Sequence, residues 1–273
     1  MIEIIEWIGL LSLPAFLLLD LVHRAKRYDA PRGWRIRALA VTVFAFFFAT
    51  KVGELWDGAL GSWSLIDGAA LGTAGGALVG ILVYELFHYG YHRLAHRVNF
   101  IWRNAHQMHH SAESLDAFGA NYSHPTDIVV WTTLPVLVLV PLLGLAPEAI
   151  AIVAAFIAFN AAFQHANIRT PRWLGYLIQR PESHAIHHAR GVHRYNYSDL
   201  PLWDMVFRTF RNPERFEREQ GFYKGASARI GAMLIGRDVS RPPRGKPAPA
   251  RAPKRLAGAA AAESLAARMS AGR

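Results

Sequence analysis

Five apolar stretches divide this chain, at about residues 4–22, 38–52, 68–87, 128–145 and 149–163. A helix rises 1.5 Å per residue, so about 20 residues cross a hydrocarbon layer roughly 30 Å thick. The five runs reach or approach that length. In lipid the backbone has no water to bond, so each run must satisfy itself as a helix. The 52% hydrophobic content is thus gathered into spans rather than into one soluble core. The expected fold is an all-α integral membrane helical bundle of about five spans. The turn from Gly144 to Pro147 makes the last two a hairpin at about 126–165. Lys51 and Glu54 end the second run and must reach the interface, which predicts a short span. The first run is too long, and too acidic at Glu3 and Glu6, for a signal peptide.

Charge sets the expected orientation. Between the first two spans lie Arg24, Lys26, Arg27, Arg32, Arg35 and Arg37 against Asp29, which places that loop in the cytoplasm. The next loop carries Glu54, Asp57 and Asp67 and belongs outside. Threading the rest gives a multi-pass protein, of the inner or plasma membrane if bacterial. The end of span three, the start of span four and the end of span five are then cytoplasmic. Span three carries Gly68, Gly72, Gly76 and Gly80, every fourth residue, a smooth face for close helix packing. The net charge of +10 comes partly from the segment beyond Arg237, where basic residues recur among Pro, Ala and Gly. That composition predicts a disordered basic tail, 237–273, with a marginal alanine-rich helix near 256–269. Basic residues border the spans rather than forming a groove, so nucleic acid is not an expected partner. With no cysteine, thiolate metal sites, disulfides and cysteine-held iron–sulfur clusters are excluded.

Eight of the thirteen histidines stand in three clusters at the expected cytoplasmic ends: His92 and His96; His106, His109 and His110; His184, His187 and His188. Residues three and four apart share a helix face, so each cluster offers imidazoles to one side. Neutral imidazole ligates iron, zinc, copper and nickel, and eight rings exceed what one tetrahedral ion takes. The expected site is a histidine-rich di-metal centre, each ion with several nitrogens and an open position. His165 ends span five on the same face and is a further candidate ligand. His124, in a turn before Pro125, is balanced between ligand and structural roles, and His88 is read first as outer support, with ligation as the alternative. His193 and His23 are read as non-ligands.

Other metal chemistries fit less well. No H-E-x-x-H is present, which argues against the common zinc-protease arrangement. Glu85 and His88 make one E-x-x-H, but carboxylate-bridged bundles need a second copy. Haem needs one axial pair, which adjacent doublets such as His109 and His110 suit poorly. A metal transporter or store would favour ionisable residues deep in the spans. A di-zinc hydrolase would need neither oxygen nor reductant.

The stretch Tyr91-His92-Arg93-Leu94-Ala95-His96, then 100–111 from Phe100 through His106, His109 and His110 to Ser111, resembles the fatty acid hydroxylase and sterol desaturase superfamily. So do 184–190, Asn196-Tyr197 and Leu200-Pro201-Leu202-Trp203-Asp204. The resemblance runs from about Val83 to Phe210. It implies a membrane non-haem di-iron oxygenase: two iron ions on the eight clustered histidines, molecular oxygen as co-substrate, and His124 and His165 as additional ligands. It also implies that the reduced pair activates oxygen for hydrogen abstraction from a lipid. Glu85 stands where the family commonly has aspartate, and His88 where it has an aromatic residue.

The chain thus divides into membrane spans (1–82), a histidine-box region (83–212), an extension (213–236) and the tail. The expected activity is hydroxylation of an unactivated C–H bond of a membrane lipid, with desaturation as the alternative and non-catalytic metal binding or transport as the distant one. Trp131, Phe156, Phe159 and Phe163 are candidate channel walls. Glu85, His88, Asn167, Asp199 and Asp204 are candidate outer supports of the ligands. No dinucleotide fingerprint or fused redox domain is present, so electrons are expected from a separate protein, for which the tail is a candidate dock.

Overall fold

The computed structural model describes residues 2–60, 63–216 and 219–243. Its contacts divide the chain into Met1–Arg241 and Pro242–Arg273, and the architecture below is that of the first unit. Among the described residues every named element is a helix. In chain order these are α1 (Ile2–Val22), α2 (Trp34–Ala59), α3 (Gly72–Arg97), α4 (Asn99–Ile101), α5 (Gln107–His110), α6 (Pro125–Leu137), α7 (Pro147–Phe163), α8 (Pro181–His187), α9 (Pro201–Val206) and α10 (Ile230–Leu234). A π-helical turn, Trp102–His106, joins α4 to α5, and a second, Val138–Leu142, prolongs α6.

Among the described residues, four helical segments are long and apolar enough to cross a membrane: Ile2–Val22, Trp34–Ala59, Gly68–Arg97 and Pro125–Leu142. The fifth, α7, has 17 residues and spans roughly 25 Å. The second span is longer than its apolar run. Lys51 and Glu54 bond each other at 2.7 Å within the last turns of α2, so the helix continues through its charges to Ala59. Large apolar side chains face outward along these helices, among them Leu18, Phe47 and Leu78. A water-soluble surface of this kind would be costly, whereas lipid is a natural solvent for it.

Small residues let the helices meet. On the glycine face of α3, a Cβ at Gly80 would lie 2.8 Å from Leu145 and 2.9 Å from Val153, and one at Gly76 would lie 3.0 Å from Ala149. Gly68 packs its backbone on the Leu143 carbonyl. Gly72 departs from the stripe: it touches nothing and takes φ +64 at the start of α3. Opposite, α1 lies along α7, where a Cβ on Gly9 would come 2.9 Å from Ala155 Cα.

Two apolar cores follow. Ala77 and Tyr84 of α3 pack with Val138, Leu139, Leu145, Ala149 and Val153 of the hairpin. A second core joins Trp34, Met108, Phe118 and Tyr122 to Phe222, Met233 and Val239. Val239 is fully buried, and its N–H donates to Gln107 Oε1 at 3.1 Å. The packed chain therefore runs past the boundary expected at 236. Residues 244–273, including the expected helix near 256–269, lie outside the described residues.

Candidate metal centre

The long α3 carries His88, His92 and His96 one turn apart, so all three face the same way. The π turn adds a residue per turn just before the second cluster, a distortion frequent at functional sites. It leaves Trp102 over the rings of His96 and His110, with centroids 5.1 and 5.3 Å away. His165 lies two residues past the end of α7, and His184 and His187 lie on α8, with His188 as its C-cap. From these elements come two groups, buried apart from the half-buried His96: His92, His96, His106, His110 and His187, then His109, His165, His184 and His188. Neighbouring histidines point about 100° apart on a helix, so each doublet is split between the groups. His110 and His188 stack at 4.1 Å between centroids, which puts the groups side by side.

The nitrogens converge. His106 Nε2 lies 3.0 Å from His92 Nε2 and 3.1 Å from His110 Nε2. In the second group the Nε2 separations are 3.2 Å for His109–His165, 3.1 Å for His165–His184 and 3.0 Å for His184–His188. An ion roughly 2.1 Å from each nitrogen, with ligands at right angles, separates them by roughly 3.0 Å. His96 Nε2 and His187 Nε2 are buried without a hydrogen-bond partner. The donor set therefore fits one ion per group.

Several rings are fixed from behind. His92 Nδ1–H donates to the Tyr197 carbonyl at 2.6 Å, His187 Nδ1–H to Tyr195 at 2.8 Å, and His165 Nδ1–H to Ala161 at 2.8 Å. His106 Nδ1–H meets Asp127 Oδ2 at 2.9 Å. Because the acceptors take a proton's worth of bonding at Nδ1, each Nε2 is left with its lone pair for metal. Burial, reinforced by neighbouring imidazoles, pushes His109, His110, His184, His187 and His188 well below the ordinary 6.5, and burial lowers His165 to about 4. Neutral rings are the form that binds metal.

The expected supporting residues fare differently. Asp204 meets no ring: it accepts from the Tyr197 and Ser198 N–H groups and from Thr209, holding the loop whose carbonyl reaches His92. That loop has positive φ at His193, Tyr195 and Asn196, and Asn196 ties it to Ser183 and Arg211. Asn167 is away from the metal groups. It binds Lys26 and Asp20, locking the loop after α1. His124 also stands apart from both groups. Its Nδ1 accepts from Thr126 N–H and caps α6, and Pro125 fixes that turn. Glu85, His88 and Asp199 gather into a third buried group. His193, read as a non-ligand, contacts His110 at 3.1 Å. Asp127 is a support that the histidine spacing does not announce; its signal is an acid in the first turn of α6, three residues past His124.

A mostly apolar cavity of about 550 Å³ opens onto these groups. His88, His92, His106, His109, His165 and His184 form one end, and Ala45, Trp131, Val136, Leu139 and Ile157 form its walls. Of the aromatic walls expected, Trp131 takes that place. Phe159 and Phe163 instead pack on Phe16 of α1, and Phe156 does not line the cavity.

A helical bundle with two adjoining all-histidine sites beneath an apolar cavity defines a membrane protein of the histidine-cluster metal class. Residues 77–209, which carry all the grouped histidines, match the fatty acid hydroxylase family. A very-long-chain aldehyde decarbonylase of Oryza sativa subsp. indica is 26% identical over 160 residues, covering 56% of this chain and 60% of that protein. Sphinganine C4-monooxygenase 1 of Arabidopsis thaliana is 24% identical, over 53% and 57%. An ornithine lipid hydroxylase of Rhizobium tropici is 30% identical, over 50% and 42%. The chain thus spans no more than 60% of the length of these relatives. No solved structure matches.

Proposed function

We propose that the protein hydroxylates an unactivated C–H bond in a membrane lipid, using molecular oxygen and a di-iron centre on the nine grouped histidines. The observation that carries this reading is the apolar cavity of about 550 Å³ with both histidine groups at one end. When bound, the reduced iron pair supplies oxygen activation and the power to remove hydrogen from carbon. The chain's own residues do the rest. Trp131, Leu139 and Ile157 exclude water and align an acyl or similar chain. Asp127 and the Tyr195 and Tyr197 carbonyls hold His106, His187 and His92 with Nε2 inward. Two of the relatives named above are called hydroxylase or monooxygenase, which favours oxygen insertion over desaturation. Electrons come from a separate protein, and the site faces the cytoplasm with the N-terminus outside.

The test is lipid mass spectrometry in a host with and without the gene. A lipid heavier by one oxygen, absent with the His109→Ala variant, is the expected result. A loss of two hydrogens would assign desaturation, and an unchanged lipid profile under aerobic, reducing conditions would oppose the reading. Reporters fused after Arg32, Ser114 and Arg211 are expected to read cytoplasmic, and one after Gly61 external.

A further inference from the structure

The third buried group has a geometry that neither histidine group uses. Glu85 and His88 are one turn apart on α3, and Asp199 comes from the loop before α9. Glu85 is 0% exposed, Asp199 2% and His88 8%. Glu85 Oε2 accepts the Asp199 and Leu200 N–H groups at 2.9 and 3.1 Å, and Asp199 Oδ1 accepts the Gln164 amide at 2.8 Å. Those bonds fix the direction of both carboxyl groups. The inward atoms are left over. Glu85 Oε1 and His88 Nδ1 are buried, have no hydrogen-bond partner, and face each other at 3.9 Å. That gap is too long for a hydrogen bond. Two metal–ligand bonds of roughly 2.1 Å bridge up to roughly 4.2 Å.

Charge balance points the same way. Two acids removed from water must either keep their protons or gain a counter-charge, and a bound divalent cation supplies the latter. No lysine or arginine lines the adjoining cavity. One ligand atom from each of the three residues falls within 4.8 Å of the others. Mixed carboxylate and imidazole donors suit manganese, iron or zinc.

We propose that Glu85, His88 and Asp199 hold a third divalent cation of the first transition row, separate from the histidine pair. It neutralises the two acids beside the cavity, which Asp199 lines, and pins the 199–200 loop to α3. The site goes beyond the hydroxylase reading and does not depend on it, since its donors belong to neither histidine group.

The experiment uses the full chain purified in detergent, equilibrated with zinc alone, freed of excess and counted by mass spectrometry. Wild type is expected to hold three zinc ions per chain. His88→Phe and Asp199→Asn are each expected to hold two, with unchanged gel-filtration elution. Two ions in wild type and still two in His88→Phe would overturn the third site, as would loss of two or more ions in that variant. One ion in wild type and none in His88→Phe would uphold this site while sinking the di-metal reading. Zinc-edge anomalous scattering from wild type guards against misfolded variants. A peak bonded to Glu85, His88 and Asp199 is expected, and its absence overturns the proposal.

Discussion

The two histidine groups draw on the same second and third clusters yet are held differently from behind. In the first, His92, His106 and His187 each donate Nδ1–H to a fixed acceptor, and His110 leans on His193. In the second, His165 is held by the Ala161 carbonyl, while His109 Nδ1 and His184 Nδ1 are buried without partners. A ring whose outer nitrogen is bonded is locked in tautomer and direction, and its inner nitrogen is more basic. The first group is therefore preorganised, and the second has rings free to tilt. The lesson is that equal ligand type does not make equal sites. We expect the first to bind metal more tightly and the second to adjust as substrate enters the cavity.

The largest effect should come from removing a ligand. His187→Ala and His109→Ala should each abolish turnover. Metal counting should show that His109→Ala spares the ion of the first group, whereas loss of both ions would mean that the two sites form only together. Next is Asp127→Ala, which frees His106 and should weaken the first site about 10–100-fold, with little change at the second. Competition with a graded set of chelators separates the two affinities. Equal weakening at both would erase the distinction.

Acid provides a third comparison. The metal-free chain has His165 and His193 lowered from 6.5 to about 4 by burial, so unfolding lets them take protons the folded state refuses. The unfolded state binds more protons below 6.5, so stability is fully present above that value and falls as pH drops from 6.5 towards about 4. Thermal melts at about pH 7.5 and about pH 5 should show the drop. Melts unchanged between them would refute neutral buried rings. Metal shares the direction, because protons compete for the same nitrogens, and the second group should release its ion first. The smallest effect belongs to His193→Phe. It keeps the packing on Phe222 and Trp102 but removes the contact to His110. First-site affinity should fall less than with Asp127→Ala, and a larger fall would make His193 a principal support.

The histidine spacing makes the site legible because helix geometry alone converts H-x2-H-H into one face. The 100° step splits each doublet, but which rings then meet across helices is not legible, since it depends on the π turn at Trp102–His106 and on where α8 meets α5. His165 joins the second group as its position at the end of α7 suggests, whereas His124 is taken up by the cap of α6. Asp127 escapes notice because an acid in a first helical turn is ordinarily a response to the helix dipole. Asn167 lies only two residues past His165, but its bonds run to Asp20 and Lys26 instead of the metal groups, a partnership set by the fold of the loop after α1. The glycine face of α3 is readable at Gly76 and Gly80, where small size is what matters, but not at Gly72, where backbone conformation is.

Each histidine group is expected to hold one ion. Anomalous scattering at the iron edge from iron-loaded protein tests it most directly. Two adjacent peaks are expected, one among His92, His96, His106, His110 and His187, the other among His109, His165, His184 and His188. A single peak shared by both groups, or none with the rings bonded only to each other, would contradict it.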